Sequence, residues 1–412
     1  MKKARRWIGA VLSAPAIAML AIALPVSAVR AQPGNDIEVG LLVPLSGLYA
    51  RFGTVMRMGA EMSVERINAE GGVKALGGAK LKLIVLDCGD TAEKAKSAAQ
   101  RMVSEYPGMV ALSGSYLSTL TLATSEVTER AHLPMLTLSF SDLITQRGFK
   151  YIFQTSASSA SQAEQSLPVI LKIAKSAGTD PKTVAVITDN TGASVASVKP
   201  MREHLIKDLG LKLVVDETFT PPLADATPLV QKVRAARADL LFFLPTVISD
   251  GKLVLEKMNE FGMGKGRVPT IGFGIAMFEP DMLQTMSPDL LQGMIGAVGS
   301  WGAKGHEEIA AQLKKRYNEA YLDQNGLSTY ADFIVIRDAL EIAGKADREA
   351  VATALHGMDG GPSKYYPGGK IKFEEDGRRA DAGLTVIQWQ SGTPVAIYPP
   401  ELAVAVPLWP KR

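Results

Sequence analysis

From Ile37 onward, short runs of uninterrupted apolar residues alternate with longer stretches of helical period. IEVGLLVPL, LKLIVLD, MVAL, PMLTLS and KYIFQT make one such series, and the rhythm restarts near Ser158. KTVAVITD, LKLVVDETF, DLLFFLP and VPTIGF then follow, with helices expected at 160–177, 194–209, 226–237 and 250–262. Runs this solidly apolar suit strands covered on both faces of a parallel sheet. The alternation therefore predicts an α/β chain of two doubly wound, Rossmann-like lobes, read in series. A length of 412 residues agrees, being too long for one ordinary core.

Local signals refine this reading. GTVMRMGAEMSVERINAEGG is a helical stripe with Gly71-Gly72 as its C-cap. Asp90-Thr91-Ala92-Glu93 has the form of a capping box led by Asp90, opening a helix through Tyr106. The last third changes character, with helices expected at 305–325, 328–345 and 347–357, then hairpin-like KIKFEEDG and LTVIQWQSGTPVAIY.

The first 31 residues are a different material: basic MKKARR, an apolar core, and Val29-Arg30-Ala31 before Gln32. This is the pattern of a cleaved secretory signal peptide at 1–31, with a cut after Ala28 as the alternative. A retained N-terminal anchor fits the flanks less well. The leader holds five basic residues and no acidic one, so losing it from a chain with 45 basic and 42 acidic residues leaves a formal charge of −2. A near-neutral chain argues against nucleic acid or an anionic membrane as main partner. The single cysteine, Cys88, forbids an intramolecular disulfide and reads as buried and inert.

Ligands of open α/β sheets bind beyond the carboxyl ends of the strands. The corners there read PLSGLYARFG, SGSYLST, SFSDLIT, TDNTGAS, PTVISDG and GFGIAMFEP. Ser46, Ser118, Ser139 and Ser141 put hydroxyls beside the N–H groups of helix starts, which suits a carboxylate or other small anion. The competing role for each serine is an ordinary N-cap. Only 6% of residues are aromatic, yet Tyr49, Phe52, Tyr116, Phe140, Phe273, Phe278 and Trp301 fall at corners or element ends, where they suit an apolar ligand wall. Asp87, Asp90 and Asp189 lie at strand ends and read as helix caps or solvated surface.

Enzyme chemistry finds little support. The G-x-S-x-G elbow is absent, and the four histidines fall outside these corners. No G-x-G-x-x-G follows a strand, and no His and carboxylate cluster has metal-ligand spacing, so neither a cofactor nor a metal is expected.

IEVGLLVPLSGLYARFGTVMRMGAEMSVERINAEGGV, LIVLDCGDTAEKA, SGSYLST, LITQRGFKYIFQTSASSASQ, KTVAVITDN and GKIKFEEDG together resemble the leucine/isoleucine/valine-binding-protein group of type I periplasmic binding proteins. The resemblance covers nearly all of the chain after the leader and is specific for the group rather than for a ligand. It implies a non-enzymatic, monomeric solute-binding component of an ABC transporter, working in the periplasm with a membrane permease. It also implies two lobes joined by a three-segment hinge: 37–157 plus 298–385, and 158–297 plus 386–412. The series arrangement then becomes an interleaved one.

Residue by residue, the group's carboxylate-binding hydroxyl falls on Ser118, its second binding loop on Ser139-Phe140-Ser141, and its first-loop aromatic on Phe52. On the far lobe, positions where amino-acid binders carry tyrosines fall near Thr191 and Thr246. The acidic position that holds an ammonium falls near Gly274, beside Phe273. Without an acid, burying an ammonium costs several kcal/mol. The resemblance with this departure implies an aromatic or apolar organic acid. The alternatives are a branched-chain or other apolar amino acid, with Glu279 or Asp250 substituting for the missing acid, and a sensor that reports ligand to a kinase or chemoreceptor.

Overall fold

The computed structural model describes Met1, residues 36–362 and residues 364–409, so the leader expected at 1–31 lies outside the described residues except for Met1. The first strands are β1 (Ile37–Val43), β2 (Leu81–Asp87), β3 (Ala111–Gly114), β4 (Met135–Thr137) and β5 (Ile152–Gln154). They form an all-parallel sheet in the order β2-β1-β3-β4-β5. The next are β6 (Thr183–Asp189), β7 (Lys212–Phe219), β8 (Leu240–Leu244), β9 (Thr270–Phe273) and β10 (Ile295–Val298). A small antiparallel pair, β11 (Asp359–Pro362) and β12 (Lys370–Lys372), precedes β13 (Thr385–Gln390) and β14 (Thr393–Tyr398). The second sheet runs β14-β13-β10-β9-β8-β6-β7, parallel except for the terminal hairpin.

The helices are α1 (Ala50–Ala69), α2 (Ala92–Glu105), α3 (Ser118–Arg130), α4 (Ser159–Ser176), α5 (Gly192–Pro200) and α6 (Ile206–Asp208). They continue with α7 (Thr227–Ala236), α8 (Ile248–Glu260), α9 (Pro288–Leu291), α10 (Glu307–Tyr317), α11 (Gln324–Ala343) and α12 (Arg348–Gly357). They flank two parallel sheets, as the continuous apolar strands predict; β8 is buried at every residue.

The series reading of the lobes gives way to an interleaved chain. α11 packs along α1 beside the first sheet, where Gly59 lets the backbones meet: a Cβ there would stand 2.2 Å from the Gly326 carbonyl oxygen. Ser113 Oγ and the Tyr366 phenol both donate to the buried Asp332 carboxylate, at 2.6 and 2.5 Å, and tie α11 to β3. β13 and β14 return to the second sheet, so the chain passes between the lobes after β5, after β10 and before β13. Apolar period reports an element's type but not which sheet it joins, and so it could not show this.

Two local expectations are corrected. The helix expected at 305–325 ends at Tyr317, because Asn318 takes the left-handed conformation (φ 58°), and α11 begins at Gln324 rather than at 328. The cap of α2 is Thr91, whose hydroxyl accepts from Lys94 N–H at 3.3 Å. Asp90 instead pairs with Lys94 at 2.8 Å. Cys88 is fully buried, and burial pushes its thiol up to about 12.

Candidate functional site

The corner after β3 is built under strain. Gly114 has φ 143°, and a Cβ there would stand 2.1 Å from the Leu42 carbonyl oxygen, so only glycine fits. Ser115 and Tyr116 follow at φ 67° and 46°, a region that costs a non-glycine residue on the order of 1–3 kcal/mol. Three contacts hold them there. Ser115 Oγ donates to Thr124 Oγ1 at 3.0 Å, Ser139 Oγ donates to the Tyr116 carbonyl at 2.8 Å, and the Tyr116 ring stacks on Phe52 at 4.6 Å. The result starts α3 at Ser118 and sets Tyr116 and Ser118 into the wall of a cavity between the lobes.

That cavity has a free volume of about 40 Å³. The first lobe contributes Tyr116, Leu117, Ser118, Leu138, Phe140 and Gln324. From the second come Ala193, Ser194 and Ser197, then Leu244, Pro245 and Thr246, then Phe273 to Ala276. No charged side chain or histidine is among them. Three helices open onto it: Ser118 begins α3, Gln324 begins α11, and Ala193 is the second residue of α5. The first turns of α3 and α5 have no side-chain cap, so their N–H groups and dipoles favour an anion. The tips of α3 and α5 meet closely: a Cβ on Gly192 would lie 3.6 Å from Thr119 Oγ1 and 3.8 Å from Ser118 Cβ.

Of the residues singled out from sequence, Ser118, Phe140, Thr246, Phe273 and Gly274 line this cavity. Ser118 Oγ accepts from Ser141 N–H at 3.1 Å, which leaves its own hydrogen to donate. Phe52, Ser139, Ser141 and Thr191 form a layer behind the wall. Ser139 Oγ is committed to Tyr116 and, at 2.6 Å, to Thr121, while the Ser141 carbonyl accepts from Gln154 Nε2 at 3.1 Å.

Asp189 corrects the surface-or-cap reading of its position. It is fully buried, and its carboxylate accepts from Thr191 N–H and Oγ1 at 3.0 and 2.7 Å and from Thr246 N–H and Oγ1, both at 2.7 Å. Four donors satisfy the charge and clamp the corners after β6 and β8 together. Both threonine hydroxyl hydrogens are thereby committed, while the oxygens can still accept.

Neither candidate substitute acid lines the cavity. Asp250 is buried and accepts from Leu223 N–H at 2.9 Å; burial raises its pKa. Glu279 accepts from Arg51 Nε at 3.0 Å, and Arg51 also grips Glu319 through two bonds of 2.7 Å. Burial, then the neighbouring Asp323 carboxylate, pushes Glu279 well above the usual carboxylate range. Sequence reasoning missed Gln324, Ala193, Leu244 and Ile275 as lining residues; Gln324 stands beyond strands β6 to β10 of the second lobe in the chain and carried no local signal.

Two parallel-sheet lobes, three crossings and a cavity at the strand ends define a bilobal solute-binding protein. The chain belongs to the periplasmic binding protein family, whose model matches residues 36–394. It is 30% identical over 398 residues to Leu/Ile/Val-binding protein homolog 7 of Brucella melitensis, covering 94% of this chain and 96% of that one. Among solved structures, the isoleucine complex of the branched-chain amino acid binding protein LivJ from Streptococcus pneumoniae matches with a TM-score of 0.75 at 17% identity, covering 88% of this chain and 99% of that one. A solute-binding protein from Rhodopseudomonas palustris, in complex with 3,4-dihydroxybenzoic acid, matches with a TM-score of 0.72 at 22% identity, covering 88% and 96%. The chain is a periplasmic solute-binding protein of the ABC-transporter type, and such proteins bind small molecules and work with ABC permeases. Among the described residues no helix is long and apolar enough to cross a membrane.

Proposed function

We propose that the cavity captures a small organic acid with an aromatic or apolar body, and that the lobes, 37–157 plus 298–385 and 158–297 plus 386–412, close over it for a permease to read. The carrying observation is the chemistry of the lining: uncapped helix starts and hydroxyls, hydrocarbon and rings, and no acidic side chain. Ser118 and the start of α3 hold the carboxylate. Phe140, Phe273 and Tyr116 flank the body. Closure follows from population shift, since a ligand touching both lobes binds the closed state better. The protein acts in the periplasm as a monomer after loss of its leader, and it binds without turnover.

A branched-chain amino acid is the second reading, favoured by the name of the Brucella relative and by the isoleucine in LivJ. Differential scanning fluorimetry on ligand-stripped protein separates the two, using benzoate, 3,4-dihydroxybenzoate, isovalerate and leucine. A ligand at a hundred times its dissociation constant adds about 2.7 kcal/mol, a visible shift. Stabilisation by the acids but not by leucine is expected. Leucine alone stabilising the protein sinks the acid reading.

A further inference from the structure

One buried polar group on the cavity wall is half used. Gln324 opens α11, is 1% exposed and lines the cavity. Its amide oxygen accepts from Gly299 N–H at 2.5 Å. A backbone N–H only donates, so this bond settles which end of the carboxamide is oxygen. The NH2 end then points the opposite way. No acceptor among the described residues takes it, yet it is not one of the polar atoms sealed in without a partner, so it opens onto the cavity. Gly299 makes the arrangement possible: a Cβ there would stand 2.8 Å from Ser156 Oγ and 3.4 Å from the Gln324 amide oxygen.

We propose that Gln324 is a specificity-determining ligand contact, whose fixed NH2 group donates to an oxygen of the bound solute and rejects an ammonium. This rests on the cavity being the ligand site. A buried donor left without an acceptor is costly, so the site selects a ligand that carries an oxygen there and disfavours one that does not. An ammonium at that place would set N–H against N–H. The Asp189 clamp takes up the hydroxyl hydrogens of the far wall, so Gln324 is a donor that the threonines opposite cannot replace. Gly299 lies where the chain leaves β10 for the first lobe, so the same carboxamide joins ligand contact to a crossing segment.

The test is isothermal titration of wild type, Gln324→Glu and Gln324→Met with benzoate, 3,4-dihydroxybenzoate, isovalerate and leucine. Gln324→Glu keeps an oxygen for Gly299 N–H and replaces the donor by a carboxylate oxygen. Gln324→Met keeps the bulk and removes both bonds. For the acid that wild type binds, Gln324→Glu is expected to weaken affinity by about 100-fold or more and Gln324→Met by about 10-fold. Thermal unfolding without ligand checks that each variant folds, and one folded variant suffices to decide. An acid affinity that stays within threefold of wild type in the folded variants overturns the inference while leaving the acid reading intact. If wild type prefers leucine, the acid reading fails. The inference then stands only if Gln324→Glu weakens leucine, and it fails if leucine binds unchanged or tighter. Binding of none of the four removes the cavity reading and this inference with it.

Discussion

The two walls of the cavity are made by the same device, a strand-to-helix corner rich in hydroxyls, and they end up chemically different. On the first lobe, Ser118 sits at an uncapped helix start with a hydrogen left to donate. On the second, Thr191 and Thr246 have given their hydroxyl hydrogens to Asp189, and Ser194 and Ser197 give theirs to the Leu244 and Ala193 carbonyls, so these hydroxyls can only accept; beside them stand Ala193, Leu244, Pro245, Phe273 and Ile275. A hydroxyl-rich sequence is therefore not a surface of free donors. Whether a hydroxyl can donate to a ligand depends on whether another group has taken its hydrogen first.

That contrast breaks most visibly at Asp189. Asp189→Ala leaves four donors, two on buried Thr191 and two on half-buried Thr246, without an acceptor, and urea denaturation is expected to show a loss of about 3–5 kcal/mol. A variant as stable as wild type would mean that the far wall is held by something else. Ser118→Ala attacks the near wall instead. It is expected to cut acid affinity by about 10- to 100-fold, the worth of a hydrogen bond to a charged group, and to cost about 1 kcal/mol of stability because Ser141 N–H loses its acceptor. Ser139→Ala sharpens the distinction within one lobe: it is expected to lose about 1 kcal/mol of stability and to change affinity less than Ser118→Ala does. Affinity effects in the reverse order would put Ser139 rather than Ser118 on the ligand.

The smallest effect concerns pH, at the contact where Arg51 of the first lobe meets Glu279 of the second. Burial raises the pKa of Glu279 and of Asp323 beside it. Groups raised in the folded state bind protons that the unfolded chain has released, so their contribution is whole below the unfolded carboxylate range. It is lost as pH rises through the folded values. Melting temperature is expected to fall from pH 5 upward on account of this pair, and Glu279→Gln should flatten that slope. An equal slope in the variant would locate the titrating groups elsewhere; Asp332, pushed up to about 6 by burial, is the next to examine.

Much of the architecture was legible because buried parallel strands leave solid apolar runs, and LLFFL is buried throughout in β8. The near wall was legible for a local reason: SGSYLST carries its glycine, its strained tyrosine and its serine within one corner. Asp189 was not, because an aspartate at a strand end is equally suited to capping, and the choice was made by Thr246, a corner away in another βα unit. Gln324 was hidden twice. It stands in a stretch whose apolar pattern runs on past the break at Asn318, and its role depends on a backbone N–H in a crossing segment before α10.

The Asp189 clamp also shapes how this chain can diverge. Changing Thr191 or Thr246 alone strips a donor from a buried carboxylate before any new ligand is gained, so descendants along that route pass through an unstable intermediate. Ala193, Ile275 and Phe273 carry no such obligation among the hydrogen bonds and ion pairs of the described residues, and they can change one at a time. Over generations, the size and outline of the solute can drift by single steps, whereas a switch to a cationic head group requires several coordinated replacements.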